Sequence, residues 1–336
     1  MFLLEFLPAR EHKMWAYCRQ MGIKHCVVKA DPSLTGLPPP WESGVLKQLQ
    51  TNFLNAGINL YGLEGDPFNM SRIKLGLPGR DEDIERYQRM VQIMGSLGIK
   101  LLCYNFLAGV QVVRTSFEVP IRGGALTSAF SHANLDSNAT NGISISSEEV
   151  WDNYCYFLKA VVPVAEASGV VLGAHPDDPP LPSLHKIGRI LYSPAQFEKA
   201  LRVINSHSHG LTFCQANWKL MGRGKDEAEA NEALYSNITE FTRTGRVHFL
   251  HVRDVRGTAS DFHETFHDEG PTDLGKCLRL YHEAGYRGPL RSDHVPLFDG
   301  EVEPVPGVHY GILGRLFANG YILGLLDSQG IRNDPS

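Results

Sequence analysis

Four residues with metal-ligand side chains stand at comparable places in four successive segments. They are His175 in Gly173-Ala-His-Pro-Asp-Asp-Pro-Pro, Cys214 closing Leu211-Thr-Phe-Cys, His251 in His248-Phe-Leu-His-Val-Arg, and Asp293 in Leu290-Arg-Ser-Asp-His. Each follows a short apolar run that reads as a strand. Two imidazoles, a thiol and a carboxylate suit one borderline divalent ion, Mn²⁺, Fe²⁺, Co²⁺ or Zn²⁺, better than Mg²⁺ or Ca²⁺, which favour oxygen. His248 and His251 lie three residues apart on one strand and face opposite sides, so His251, nearer the loop, is the better ligand. A lone buried cysteine is ordinarily a small hydrophobe, which is the reading for Cys18, Cys26, Cys103, Cys155 and Cys277. His207 and His209 read as surface residues of a helix-to-strand turn.

The elements that must carry these side chains repeat along the chain as helix, glycine, then a short apolar run. The junction glycines are Gly22, Gly57, Gly98, Gly169, Gly210, Gly245 and Gly285. With the opening Leu3-Leu-Glu-Phe as a first strand, these seven junctions link eight strands, and a last helical stretch runs from Tyr310 to Leu326. Eight βα units in 336 residues describe an α/β fold of the (β/α)8 TIM-barrel type, whose active sites sit at the C-terminal ends of the strands. A doubly wound open sheet also alternates strand and helix, but its phosphate-cradling GxGxxG or P-loop is missing from this sequence. No linker or composition shift divides residues 1–336, so one domain is expected. Its loop elaborations are a proline-rich one from Pro32 to Trp41 and a Ser/Asn/Gly-rich lid at about 119–147.

Composition excludes several functions. Lys and Arg number 32 against 37 Asp and Glu, a net charge of -5, which leaves no excess of positive charge for a nucleic-acid backbone. The start, Met1-Phe-Leu-Leu-Glu-Phe-Leu-Pro, has no basic region before its apolar run and is broken by Glu5 and Pro8, so no signal peptide is expected. No stretch approaches the ~20 apolar residues of a membrane span. Six scattered cysteines without a CxxC pair argue against a disulfide scaffold and for a reducing cytoplasm. The sequons at Asn69, Asn138 and Asn237 then carry no meaning.

The ordered segments Lys74-Leu-Gly-Leu-Pro-Gly-Arg-Asp, Cys103-Tyr-Asn-Phe, His175-Pro-Asp-Asp-Pro-Pro, Leu211-Thr-Phe-Cys, His248-Phe-Leu-His-Val-Arg, Phe262-His-Glu-Thr-Phe-His and Asp293-His resemble mannonate dehydratase of the UxuA type. The likeness runs from about Ile73 to Leu326. It implies a xylose-isomerase-like TIM barrel, a homo-oligomer, and a catalytic Mn²⁺ or Fe²⁺ held by His175, Cys214, His251 and Asp293. It also implies His294 and Tyr310 as acid/base residues and dehydration of D-mannonate to 2-keto-3-deoxygluconate. The chain departs from the family in the substrate shell. Gln215-Ala-Asn217 replaces Thr-Gly-Ser, Arg291-Ser-Asp-His-Val replaces Arg-Pro-Asp-His-Gly, Val113 stands for a tryptophan, and Asn69-Met-Ser for His-Glu-Asp.

Removing a weakly acidic proton α to a carboxylate builds charge that a divalent ion can offset, while one group takes the proton and another returns one to the departing hydroxide. A histidine, with its ordinary pKa of ~6.5, suits a proton carrier. Adjacent Asp293 and His294 can both face the site only if the strand has ended there, as Val295-Pro296 suggests. Arg114 and Arg291 are candidate carboxylate clamps, with a structural ion pair as the other reading. Asn105 and Asn217 are candidate contacts to substrate hydroxyls. Two further functions stay open: a barrel lyase, isomerase or epimerase for another sugar acid or keto-sugar, and a non-catalytic metal and sugar binder, against which His294 and Tyr310 argue.

Overall fold

The computed structural model describes residues 1–136, 140, 142–222, 226–301 and 311–333. Asn138 and Tyr310 lie outside the described residues. The first strand is split around Leu4 into β1 (Phe2–Leu3) and β2 (Glu5–Phe6). β1 pairs with the last strand and β2 with the next one, so the sheet closes on itself. Continuing round it are β3 (His25–Val28), β4 (Asn59–Glu64) and β5 (Leu101–Tyr104). The chain then leaves the barrel for a hairpin, β6 (Ser116–Pro120) and β7 (Leu126–Ser131), and returns as β8 (Val171–Ala174). A small hairpin follows, β9 (Ser183–Leu184) and β10 (Ile187–Gly188), before β11 (His209–Cys214) and β12 (Val247–Val252). A third hairpin, β13 (Val255–Thr258) and β14 (Asp261–Glu264), precedes β15 (Pro289–Ser292). The barrel order is β1-β15-β12-β11-β8-β5-β4-β3-β2 with every pair parallel, the eight-stranded barrel expected from the glycine junctions.

The helices wrap the outside and turn apolar faces inward. They are α1 (Lys13–Gln20), α2 (Pro32–Thr35), α3 (Val45–Asn55), α4 (Ser71–Lys74), α5 (Arg80–Ser96), α6 (Ser147–Ser168), α7 (Pro194–Val203), α8 (Gln215–Leu220), α9 (Glu227–Arg243), α10 (Leu274–Glu283) and α11 (Ile312–Ser328). α6 begins with a reciprocal capping box between Ser146 and Glu149 and ends at left-handed Gly169. Inside the barrel, Phe2, Leu4, Val27, Leu101, Cys103 and Phe249 pack together and form a floor under the strand ends.

Two expectations are corrected here. The 119–147 segment, expected as a loop, begins with a hairpin whose strand β7 pairs with β14, giving an antiparallel sheet in the order β13-β14-β7-β6. Phe130 opposes Phe262 in it, and both pack on Leu184, Leu220 and Val255. His209 and Gly210 form no surface turn: both belong to β11, and His209 is buried with Nε2 donating to Ala200 O at 3.0 Å. Gly210 is needed because a Cβ there would stand 2.2 Å from Arg246 O and 2.4 Å from the His248 ring. His207, by contrast, is exposed as expected.

Candidate metal centre and active site

Barrel register brings the four ligand-type residues to one end of the sheet. Cys214, the last residue of β11, stands opposite His251 of β12, which stands opposite Arg291 of β15. His175 follows β8 by one residue, and Asp293 follows β15 by one. One nitrogen, sulfur or carboxylate oxygen from each of His175, Cys214, His251 and Asp293 falls within 4.8 Å of the others. Ligands at ~2.0–2.3 Å from a common ion stand roughly 3.2–4.6 Å apart, so the spacing fits one ion. His248, on the other side of β12, bonds His207 O at 2.8 Å, well away from this cluster.

The donors are prepared for a cation. His175 Nδ1 donates to Pro176 O at 2.8 Å, which leaves Nε2 unprotonated in the neutral ring. Both ring nitrogens of His251 are buried and lack a hydrogen-bond partner among the described residues. Such orphaned polar atoms are costly unless something binds them. Burial lowers the pKa of His175 and lowers that of His251 further, so both rings are neutral. Burial raises the Asp293 pKa, but the Arg291 and Arg253 guanidiniums outweigh it and hold the carboxyl well below its usual range. Burial pushes the Cys214 thiol up to about 12, so its deprotonation depends on a bound cation.

A hub of paired charge lies behind the cluster. Buried Arg253 reaches Asp293 Oδ2 at 3.1 Å, Cys214 Sγ at 3.4 Å, Glu264 Oε1 at 2.5 Å, Asp178 Oδ2 at 2.8 Å and Asn217 Oδ1 at 3.2 Å. Arg114 binds the same two carboxylates, Asp178 Oδ1 at 2.6 Å and Glu264 Oε1 at 2.7 Å. Arg114 is therefore engaged in an ion pair with both carboxylates, and it is not among the residues that wall the cavity. Asn217 is likewise packed against Arg253 and does not line the cavity. Arg291 does line the cavity, but it grips Glu64 through Nη2 at 2.6 Å and Nε at 3.1 Å and reaches Asp293 Oδ1 at 3.0 Å through Nη1.

The open space above the cluster is about 110 Å³, walled by His175, His251, Asp293, His294, Asn105 and Glu64 among others. β15 ends at Ser292, and His294 adopts a left-handed backbone with φ 34°, so it and Asp293 both reach the cavity despite being adjacent. Burial lowers the His294 pKa to about 4, leaving a neutral ring whose Nδ1 is 3.9 Å from Glu264 Oε1. Asn105 takes a hydrogen bond from Lys74 Nζ. Of the departures from the family, Gln215 is buried at the start of α8 with neither side-chain polar atom bonded among the described residues. Asn69 accepts from the Ser71 amide outside the cavity wall.

Sequence reading missed Glu64, Asp178, Arg253 and Glu264. Arg253 lies two residues after His251 and so on the same face, a period-two signal. Glu64 ends β4 as His251 nears the end of β12, and the test of strand ends that singled out the other four would have found it. Asp178 and Glu264 stand inside the motifs already quoted, without a role. Glu64 and Cys103 also fall within 4.8 Å of His251, a second grouping that shares its ring, although Arg291 already matches the Glu64 charge.

Comparison with known proteins agrees with the geometry. The family profile described as D-mannonate dehydratase (UxuA) matches residues 10–145 and 142–333. The chain is 29% identical over 323 residues to a mannonate dehydratase of Thermotoga maritima, covering 86% of each. It is 30% identical over 308 residues to mannonate dehydratase 2 of Halalkalibacterium halodurans, covering 83% of this chain and 86% of that one. The crystal structure of mannonate dehydratase from Streptococcus suis serotype 2 superposes with a TM-score of 0.85 at 24% identity, over 99% of this chain and 97% of that one. Among the described residues, no helix is long and apolar enough to cross a membrane. The barrel, the strand-end cluster and these relatives agree: the chain belongs to the D-mannonate dehydratase (UxuA) family and is a hydro-lyase of sugar acids.

Proposed function

We propose that this enzyme dehydrates a hexonate, D-mannonate to 2-keto-3-deoxygluconate, with one Mn²⁺ or Fe²⁺ held by His175, Cys214, His251 and Asp293. The observation that carries the reading is the convergence of these four donors beneath a cavity, with both His251 nitrogens left unbonded. When bound, the ion supplies Lewis acidity to offset the negative charge that builds on the substrate carboxylate. His294, neutral and on the cavity wall, takes the α-proton, and the Glu264 carboxylate beside Nδ1 favours the imidazolium so formed. Tyr310, assigned by resemblance, is the second proton carrier. Arg253 and Arg114 hold Asp178 and Glu264 in place, which fixes the carboxylate beside His294.

Steady-state kinetics on Mn²⁺- and Fe²⁺-loaded enzyme with a panel of hexonates tests this. D-Mannonate is expected at or above the ~10⁴ M⁻¹s⁻¹ of kcat/KM found at the low end for ordinary enzymes. A value far below that, with another hexonate above it, would reassign the substrate.

A further inference from the structure

Lys74, the last residue of α4, is buried to 1% exposure and takes no part in the chemistry above. Its ammonium makes three hydrogen bonds, to Asp66 Oδ1 at 2.8 Å, Asp66 Oδ2 at 2.7 Å and Asn105 Oδ1 at 2.9 Å. An ammonium has donors only, so the Asn105 atom facing it must be the oxygen. The Leu107 amide also points at that oxygen, at 3.4 Å. Asn105 lines the cavity, and with its oxygen tied back the amide nitrogen is the polar atom it has left to offer a ligand.

This orientation matters because the neighbouring charges are committed. Arg291 is bound to Glu64, and Asp178 is bound to Arg114 and Arg253. Glu64, Asp178 and Asp293 make the cavity wall rich in acceptors. A polyhydroxy acid, itself rich in acceptor oxygens, needs a fixed donor there. We propose that Lys74 is a positioning residue: by holding Oδ1 it locks Asn105 as a hydrogen-bond donor into the cavity, and the pair selects ligands that place a carboxylate or hydroxyl oxygen at that point. The proposal rests on the reading of the site as a sugar-acid centre.

The test uses full-length, metal-loaded enzyme and the hexonate that the wild type turns over best. Asn105→Asp keeps the shape and the bond to Lys74 but turns an acceptor towards the substrate, whereas Asn105→Ala merely removes the donor. Asn105→Asp is expected to raise KM by roughly 10- to 100-fold, the effect of losing a hydrogen bond to a charged partner, and to raise it more than Asn105→Ala. Metal content should be unchanged. Lys74→Met should raise KM by roughly tenfold on its own and have no further effect in the Asn105→Ala background, because it acts through Asn105. If Lys74→Met fails to fold, since it leaves Asp66 without its cation, the order of the two Asn105 variants decides. An Asn105→Asp enzyme with KM near wild type, or a Lys74 effect that multiplies with Asn105→Ala, overturns the proposal. A wild type that neither binds nor turns over any hexonate overturns it together with the functional reading, and that failure shows before any variant is made.

Discussion

Glu64 Oε1 stands 2.6 Å from Arg291 Nη2 and, on its other side, 3.5 Å from His251 Nε2. His251 Nδ1 in turn lies 3.6 Å from Asp293 Oδ2, on the side of the four-donor cluster. A carboxylate facing one imidazole nitrogen draws the proton there and leaves the other free for a metal. Arg291, read from sequence as a possible substrate clamp, thus grips the carboxylate that faces His251, one of the four proposed ligands.

Glu64→Gln should therefore weaken divalent-ion binding by about 10- to 100-fold, the usual cost of losing a partner behind a metal-ligating histidine, while the fold survives. Titration of the metal-free enzyme with Mn²⁺ against a competing chelator measures it. An unchanged affinity would show that Glu64 does not orient His251.

Removing a ligand outright goes further. Cys214→Ser and His251→Ala should each retain about a tenth or less of the wild-type metal content after gel filtration, because both attraction and geometry are lost. Elemental analysis of the purified proteins is the measurement. Wild-type content in both variants would move the ion elsewhere.

His294→Asn should keep the metal and lose roughly 10²–10⁴-fold in kcat, the contribution of a positioned acid or base. Asparagine tolerates the left-handed backbone found at φ 34°, so the variant tests the ring and not the turn. Turnover within about tenfold of wild type would remove His294 from the chemistry.

Arg114→Met tests the ion-pair placement. Among the described residues, Asp178 and Glu264 would keep Arg253 as their shared guanidinium, and breaking a buried pair costs about 3–5 kcal/mol. Thermal unfolding should fall well below wild type. A raised KM with unchanged stability would restore the clamp reading.

The pH dependence of stability follows from two histidines at the opposite end of the barrel. Burial lowers His209 to about 4 and His248 to about 3, so each stays neutral in the fold while the unfolded chain takes up protons below ~6.5. Their contribution is complete above pH 6.5 and is lost as the pH falls towards 4 and then 3. It amounts to something on the order of 3 kcal/mol for His209 and 5 kcal/mol for His248. Melting temperature against pH, in wild type and His209→Gln, should show a shallower acid decline in the variant, and identical slopes would contradict it.

Sequence made the donor cluster legible because its residues stand at strand ends, where parallel register leaves little freedom: once Cys214 and His251 sit side by side, Asp293 must follow Arg291 into the same opening. The fate of Arg114 was not legible in the same way. Whether a guanidinium meets substrate or carboxylate depends on Asp178 and Glu264, 64 and 150 residues further along the chain. The hairpin over Ser116–Ser131 left a local trace, Arg122-Gly-Gly between two apolar runs, but its partner strand lies beyond the whole of β8, β11 and β12. Gly210 looked like the other junction glycines, six of which have positive φ, yet it answers to a close approach of backbone and ring.

The antiparallel sheet over the barrel joins the excursion after β5 to the one after β12, and Leu126 bridges it to Leu297 beyond β15. Three loops that would otherwise fluctuate separately are laced into one plate, with Phe130 and Phe262 as its rivet. Its backbone amides should exchange with deuterium as one cooperative block, at an opening free energy below that of the barrel strands beneath. Solvent and substrate would then pass by tilting or melting of that block, with the barrel intact, so the traffic of the site depends on interstrand bonds that run from the outer hairpins to Glu264, beside His294.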